Sequence, residues 1–148
     1  MGQLNGKVAI ITGAGSGFGE GMAEGYIREG AKVIIADLNA AAGERVAKSL
    51  GANAKAVTCD VANADSVNAM VKVCVDTFGT PDIVINNAGI TVTRVLLDQT
   101  EEDWDSVLDT NLKGCWMVDT EAARRLVKLK KSGSMINISS ILGARVAG

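Results

Sequence analysis

The sequence predicts a doubly wound α/β fold, in which helices cover both faces of a parallel sheet. Runs rich in valine and isoleucine alternate with helix-like runs along the whole chain, a pattern typical of parallel sheets. Two of these runs, Val8–Ile11 and Ile83–Ile85, are apolar at consecutive positions, as strands buried on both faces require. Both runs should therefore form central strands.

Five strands are expected, in the order 3-2-1-4-5 across the sheet. Their predicted ranges are Lys7–Thr12, Lys32–Ala36, Ala54–Thr58, Asp82–Asn86 and Ser134–Ser139. No repeat, linker or low-complexity segment interrupts the alternation, so residues 1–148 are expected to belong to a single domain.

Two helices carry clear sequence signals. The first has Asn63 as its expected N-cap and apolar residues three and four positions apart. These apolar residues are Val67, Met70, Val71, Cys74, Val75 and Phe78. The second begins at Thr100, three residues before Asp103, which is a capping-box pattern, and is expected to run to about residue 128. Its expected inward residues are Trp104, Val107, Leu108, Leu112 and Trp116.

Composition and charge exclude several functional classes. Hydrophobic residues make up 47% of the chain and charged residues 22%, enough to bury a core. The formal net charge is −2 and no basic run is present, so we expect no nucleic-acid partner. Without a basic and apolar leader at Met1–Gly6, or a later stretch of about 18 apolar residues, we expect a cytoplasmic protein with no membrane partner.

The cysteine content predicts neither a metal site nor a disulfide framework. The three cysteines, Cys59, Cys74 and Cys115, show no C-x-x-C spacing. The chain also contains no histidine that could complete a zinc site.

A glycine-rich segment follows the first strand and opens the first helix. This is where a dinucleotide pyrophosphate can meet exposed helix N–H groups and the positive end of the helix dipole. Phe18 occupies the sixth position, so the spacing departs from the usual G-x-G-x-x-G, and a simple strand-to-helix turn is the alternative. The candidate cofactor-binding residues here are Gly13, Ser16, Gly17, Phe18 and Gly19.

Asp37 stands at the end of the second strand, twenty residues past Gly17. A carboxylate there can accept hydrogen bonds from the adenosine ribose hydroxyls and would repel a 2′-phosphate, which favours NAD over NADP. Neither Ser16 nor Leu38 offers the cation that a 2′-phosphate would need. The alternative is that Asp37 is a turn or N-cap residue ahead of the next helix.

Five ordered motifs resemble those of the short-chain dehydrogenase/reductase family. They are Thr12-Gly13-x-x-x-Gly17-x-Gly19, Asp60-Val61, Asn86-Asn87-Ala88-Gly89, Asn111 and Asn137-Ile138-Ser139-Ser140. The resemblance covers the whole chain and implies a Rossmann fold that binds NAD and acts on an alcohol or ketone. It also implies that Asp60 and Val61 contact the adenine, and that Asn87, Ala88 and Gly89 line the next part of the cofactor groove.

The same resemblance assigns catalytic roles to Asn111 and Ser140. Asn111 would help to hold a water in a proton relay, and Ser140 would hydrogen-bond the substrate oxygen. Ser140 rather than Ser139 matches the family position because it directly precedes the Ile141-Leu142-Gly143 turn. From the residues alone, Asn111 could instead satisfy backbone groups and Ser140 could simply end a strand.

The family's catalytic tyrosine, with a lysine four residues later, does not occur before the chain ends at Gly148. Tyr26 is the sole tyrosine and belongs to the first helix, so we expect an N-terminal part of a longer enzyme that is inactive alone. The family's usual homo-oligomer, a dimer or tetramer, is expected of the complete protein. The alternatives are a non-catalytic NAD-binding module and a structural subunit without cofactor.

Overall fold

A five-stranded parallel sheet forms the centre of the computed structural model, which describes residues 2–141. The strand order is β3-β2-β1-β4-β5, as the sequence predicts for a Rossmann fold. The strands are β1 (Val8–Thr12), β2 (Lys32–Asp37), β3 (Ala54–Thr58), β4 (Ile83–Asn86) and β5 (Ser134–Asn137). The largest difference from the predicted ranges is at β5, which ends two residues before Ser139.

The helices alternate with the strands. They are α1 (Gly17–Arg28), α2 (Ala40–Leu50), α3 (Ala64–Thr77), α4 (Glu101–Leu108) and α5 (Gly114–Lys128), with a π-helical segment, Asp109–Lys113, between α4 and α5. Short 3-10 turns occupy Gly51–Asn53 and Leu96–Asp98. Across residues 2–141, every helix falls short of the length or apolar character that spanning a membrane requires.

Two apolar clusters cover the two faces of the sheet. Because side chains alternate along a strand, Ile10 and Ile34 belong to the cluster with α3 and α5, whereas Ile11 and Ile35 belong to the cluster with α1 and α2. All five residues of β1 are buried, and β1 pairs with both β2 and β4. The prediction that the first and fourth strands are central is confirmed.

The predicted helix after Asn63 is present as α3. The Asn63 side chain accepts a hydrogen bond from the Ser66 N–H at 3.0 Å, so it is the N-cap. Val67, Met70 and Val71 are buried against the sheet together with Cys74. Burial raises the pKa of the Cys74 thiol to about 12, so it remains a neutral core group.

The capping box at the start of α4 is also confirmed. Thr100 Oγ1 accepts from the Asp103 N–H at 3.1 Å, and Asp103 Oδ2 accepts from the Thr100 N–H at 3.0 Å. The hydrogen bond from the Thr100 backbone, helped by Arg94, lowers the pKa of Asp103 and keeps its carboxylate ionised for this role.

The predicted inward face of α4 and α5 is wrong. Trp104 is 65% exposed, Leu112 67% and Trp116 63%, with Leu108 also exposed and Val107 half-buried. The residues that pack inward from α5 are Gly114, Val118, Ala122 and Leu126.

Helical geometry explains why the bulky apolar residues around α5 are exposed. Residues two positions apart on a helix point about 200° apart, so the stripe through Leu112 and Trp116 lies opposite the one through Gly114 and Val118. The stripe with the smaller side chains faces the sheet because α5 approaches the sheet very closely at Gly114. A Cβ atom on Gly114 would lie 2.8 Å from Val61 Cγ2. The bulkier apolar stripe is therefore left on the surface.

Candidate functional site

A groove of about 510 Å³ lies at the carboxyl edge of the sheet, beside the point where the strand order reverses between β1 and β4. In open α/β sheets this switch point is the usual place for a ligand. Of the predicted cofactor-binding residues, the groove is lined by Gly13, Ser16, Gly17, Phe18, Asp37, Asp60, Val61, Asn87, Ala88 and Gly89. Its wall also includes Leu38, Cys59, Ile90 and Thr110, which were not predicted from the sequence.

The glycine-rich loop has a backbone that only glycine adopts easily. Gly13 and Gly17 have φ of 62° and 56°, in the left-handed region. Around Gly17 a Cβ atom would meet nothing within 4 Å, so the space above it is open groove. Gly19 is buried beneath the loop, where a Cβ atom would clash with the Gly13 carbonyl oxygen. The absence of a side chain at Gly19 thus allows close packing against Gly13, whereas Gly17 borders the groove.

The N-terminus of α1 lies within this loop. Ser16 is the N-cap residue, and its side chain makes no capping hydrogen bond. The first amides of the helix are consequently available to an anion, with the helix dipole favouring negative charge. Phe18, in the first turn, is 87% exposed and adds an apolar surface to the groove.

Hydrogen bonds made by Thr12 and Asn87 connect the ends of β1 and β4. The buried Thr12 hydroxyl accepts from the N–H groups of Asn87 and Ala88 at 3.0 and 3.1 Å. The Asn87 side chain donates back to the carbonyl oxygens of Thr12 and Gly13 at 3.0 and 3.2 Å. These bonds fix the floor of the groove at the switch point, and Asn87 therefore has a structural function there.

Asp37 ends β2 with both carboxylate oxygens held by backbone amides. Oδ2 accepts from the Gly15 N–H and Oδ1 from the Asn39 N–H, each at 2.8 Å. The expected alternative is correct in one respect, since the bond from Asn39 is a turn contact. The N-cap of α2, however, is Asn39, whose side chain accepts from the Ala42 N–H at 3.1 Å. Each Asp37 oxygen retains a further acceptor site, and the side chain lines the groove.

Two residues that were not predicted from the sequence hold this carboxylate in place, Gly15 directly and Arg45 through Gly15. A Cβ atom on Gly15 would lie 2.8 Å from Asp37 Cγ, so glycine is required for the contact. Arg45, on α2, donates from Nη2 to the Gly15 carbonyl oxygen at 2.9 Å and forms a forked pair with Glu20 at 2.7 and 2.8 Å. Gly15 belongs to the glycine loop, but no local pattern connects Arg45 to a residue thirty positions earlier.

The end of β3 closes the groove on the far side. The Asp60 Oδ1 atom accepts from the Ala62 N–H at 2.9 Å, and Val61 is buried against Gly114. Cys59 is buried beside them, and burial raises the pKa of its thiol although a hydrogen bond with Ser66 acts in the opposite direction. Cys59 is therefore a neutral part of the wall.

Asn111 lies in the π-helical segment and anchors the loop after β4. Its amide donates to the Ile90 carbonyl oxygen and accepts from the Ile90 N–H, both at 2.8 Å. Asn111 therefore satisfies the backbone groups of Ile90, as the alternative to a catalytic role predicts. Ser140 is exposed and follows β5. Of the Ile141-Leu142-Gly143 turn, Leu142 and Gly143 lie outside the described residues.

Comparison with known families agrees with this architecture. The family model of the short chain dehydrogenases matches residues 7–147. The chain belongs to the short-chain dehydrogenase family. Membership in this family makes the protein a relative of oxidoreductases, as the resemblance in the motifs predicts.

Several oxidoreductases are similar to this protein over almost the entire chain. An uncharacterized oxidoreductase of Mycobacterium bovis is 39% identical over 142 residues, which is 95% of this chain and 57% of the relative. An uncharacterized oxidoreductase of Staphylococcus aureus is 41% identical over 147 residues, 99% of this chain and 63% of the relative. The 3-oxoacyl-(acyl-carrier-protein) reductase of Vibrio cholerae is 37% identical over 141 residues, 95% and 57% of the two chains.

A solved reductase structure has the same fold. The 3-ketoacyl-(acyl-carrier-protein) reductase from Brucella melitensis, crystallised in complex with NADH, superposes with a TM-score of 0.92 at 36% identity. The match covers 98% of this chain and 62% of that protein. The chain thus spans about three fifths of the length of the relatives it matches.

Proposed function

We propose that this protein is an NAD(H)-dependent oxidoreductase that interconverts an alcohol and a ketone, with the cofactor bound in the groove at the carboxyl edge of the sheet. The observation that carries the proposal is the Asp37 carboxylate, held at the groove beside an open glycine loop. The family and the NADH complex of the Brucella reductase support the same assignment.

The size of the groove and the groups that border it support a dinucleotide ligand. Its volume lies within the roughly 300–1,000 Å³ that is typical of ligand pockets. The open space above Gly17 and the uncapped amides of α1 suit a pyrophosphate, which would lose close approach if Gly17 carried a side chain. Asp37 would accept hydrogen bonds from the ribose hydroxyls, and Asp60 and Val61 would contact the adenine.

The residues at the substrate end would orient the reacting groups. When bound, NAD(H) supplies or accepts the hydride. Ser140 would donate a hydrogen bond to the substrate oxygen, and Asn111 would hold Ile90 and help to position a water. Asn87, Ala88 and Gly89 would line the groove between these two ends. We further propose that the protein acts in the cytoplasm. The free thiols of Cys59, Cys74 and Cys115 support this location, because the cytoplasm keeps thiols reduced.

The proposal predicts that NADH binds at least about tenfold more tightly than NADPH, because Asp37 repels a 2′-phosphate. Replacing Asp37→Ala should weaken NADH binding and narrow this gap, since the repulsive group is removed with the carboxylate. Calorimetric titration of both dinucleotides measures the two effects. Asp76→Ala, an equal charge change on the exposed surface of α3, is the control and should change neither affinity. Equal affinities in the unmodified protein would contradict the assignment of Asp37.

We also propose that the exposed apolar stripe of Trp104, Leu112 and Trp116 associates with a second copy of the chain. Large exposed apolar patches commonly drive association. The mass measured by light scattering should rise with concentration, and Leu112→Glu should lower it. Leu129→Glu, which changes an exposed leucine outside the stripe, is the control. A monomer at every concentration would contradict this part of the proposal.

A further inference from the structure

We propose that Glu20 and Arg45 form a clamp that sets the choice between NADH and NADPH. In this clamp, Arg45 positions Asp37 through Gly15. Glu20 pairs with Arg45 and so prevents Arg45 from binding a 2′-phosphate. Asp37 lines the groove, whereas Glu20 and Arg45 lie behind Gly15 and outside the groove lining, so a freed Arg45 side chain would have to turn toward the groove to meet a 2′-phosphate. This inference deepens the proposed function and rests on it.

The first half of the inference follows from the hydrogen bonds of Gly15. Its N–H donates to Asp37 and its carbonyl oxygen accepts from Arg45, so one residue connects the guanidinium to the carboxylate. Gly15 has no side chain of its own to stabilise its position. Because the peptide units on both sides of Gly15 are hydrogen-bonded, the N–H that binds the Asp37 carboxylate is held in one position.

The second half follows from the charge of Arg45. A guanidinium is the preferred partner of a phosphate, and only Gly15 separates this one from the carboxylate that would bind the ribose. The bidentate bonds to Glu20 occupy both terminal nitrogens of Arg45. The hydrogen bond from Arg45 lowers the pKa of Glu20, so the carboxylate stays ionised and neutralises the cation near neutral pH.

The ion pair lies at the surface, with Arg45 exposed and Glu20 half-buried, and surface pairs contribute little to the free energy of unfolding. Its effect should therefore appear in cofactor selectivity rather than in stability. A purely structural role for Glu20 would change the affinities for NADH and NADPH by the same factor. A role in discrimination would change their ratio.

The experiment measures dissociation constants for NADH and NADPH in the protein at its full native length. Glu20→Gln removes the charge at nearly constant volume and should tighten NADPH binding roughly three- to tenfold, the size expected of one hydrogen bond at a partly solvated site. NADH binding should change by less than about twofold, because Arg45 can still donate to Gly15. Arg45→Met should weaken NADH binding roughly three- to tenfold, because Asp37 loses its anchor.

The double variant Glu20→Gln with Arg45→Met is decisive. The gain in NADPH affinity should disappear in it, since the proposal assigns that gain to the freed guanidinium. Asp76→Asn is the matched control, because it removes the same charge from the exposed pair with Lys72 on α3 and should leave the ratio unchanged.

Three outcomes would overturn the clamp. They are an unchanged ratio in Glu20→Gln, a gain that persists in the double variant, and an equal gain in Asp76→Asn. In each of these cases, NADH binding by the unmodified protein would leave the proposed function intact. An unmodified protein that binds neither dinucleotide would instead overturn the proposed function, and the clamp with it.

Discussion

Gly17→Val is expected to abolish NADH binding while the fold persists. The valine side chain would occupy the open space above Gly17, where the pyrophosphate is proposed to lie. A branched residue also resists the φ of 56° that this position requires. Calorimetric titration with NADH measures the loss, and circular dichroism checks that the secondary structure is retained.

Gly21→Val on the same helix is the matched control. Gly21 is exposed, has open space around it and does not border the groove, so the substitution adds the same side chain without entering the proposed site. NADH should bind this variant with unchanged affinity. If Gly17→Val also bound NADH normally, the glycine loop would be only a strand-to-helix turn.

The second large effect concerns turnover. We expect the 148 residues alone to oxidise or reduce no alcohol or ketone at an enzyme-like rate, because hydride transfer to a carbonyl needs a proton donor. The sequence contains no histidine, and its one tyrosine, Tyr26, packs half-buried against the cluster beneath α1 and α2. General acid catalysis by a side chain that donates this proton typically raises the rate about 10²–10⁴-fold.

Nicotinamide absorbance with a panel of secondary alcohols and ketones measures this turnover. The 148 residues should be compared with the protein at its full native length, which we expect to be active. Rapid turnover by the 148 residues would contradict the prediction and direct attention to Asp98 and Lys113 as proton donors, with Arg145 outside the described residues. NADH binding without turnover at the full native length would favour a non-catalytic NAD-binding module.

Features encoded locally were predictable from the sequence. The consecutive apolar residues of β1 and β4 predicted central strands because both faces of a doubly wound sheet are covered. The caps at Asn63 and Thr100 were predictable because each depends on residues only three positions apart.

Features that depend on tertiary contacts were not predictable. The segment that includes α5 contains two apolar stripes, and the one that faces the sheet is the one in which Gly114 lies close to Val61. The π-helical segment around Asn111 has no recognised sequence signal here. The bond from Arg45 to Gly15 joins residues that are neighbours only because α2 packs beside the glycine loop.

The groove as the NADH site is tested most directly by amide chemical shifts in an NMR titration with NADH. We predict that the largest changes occur in the glycine loop between Gly13 and Gly19 and at Asp37, with smaller changes at Asp60 and Val61. NADPH at the same concentration should produce weaker changes at the same positions. Changes confined to another surface, such as the groove between α2 and β3 around Lys48 and Lys55, would contradict the proposed site, as would the absence of any change.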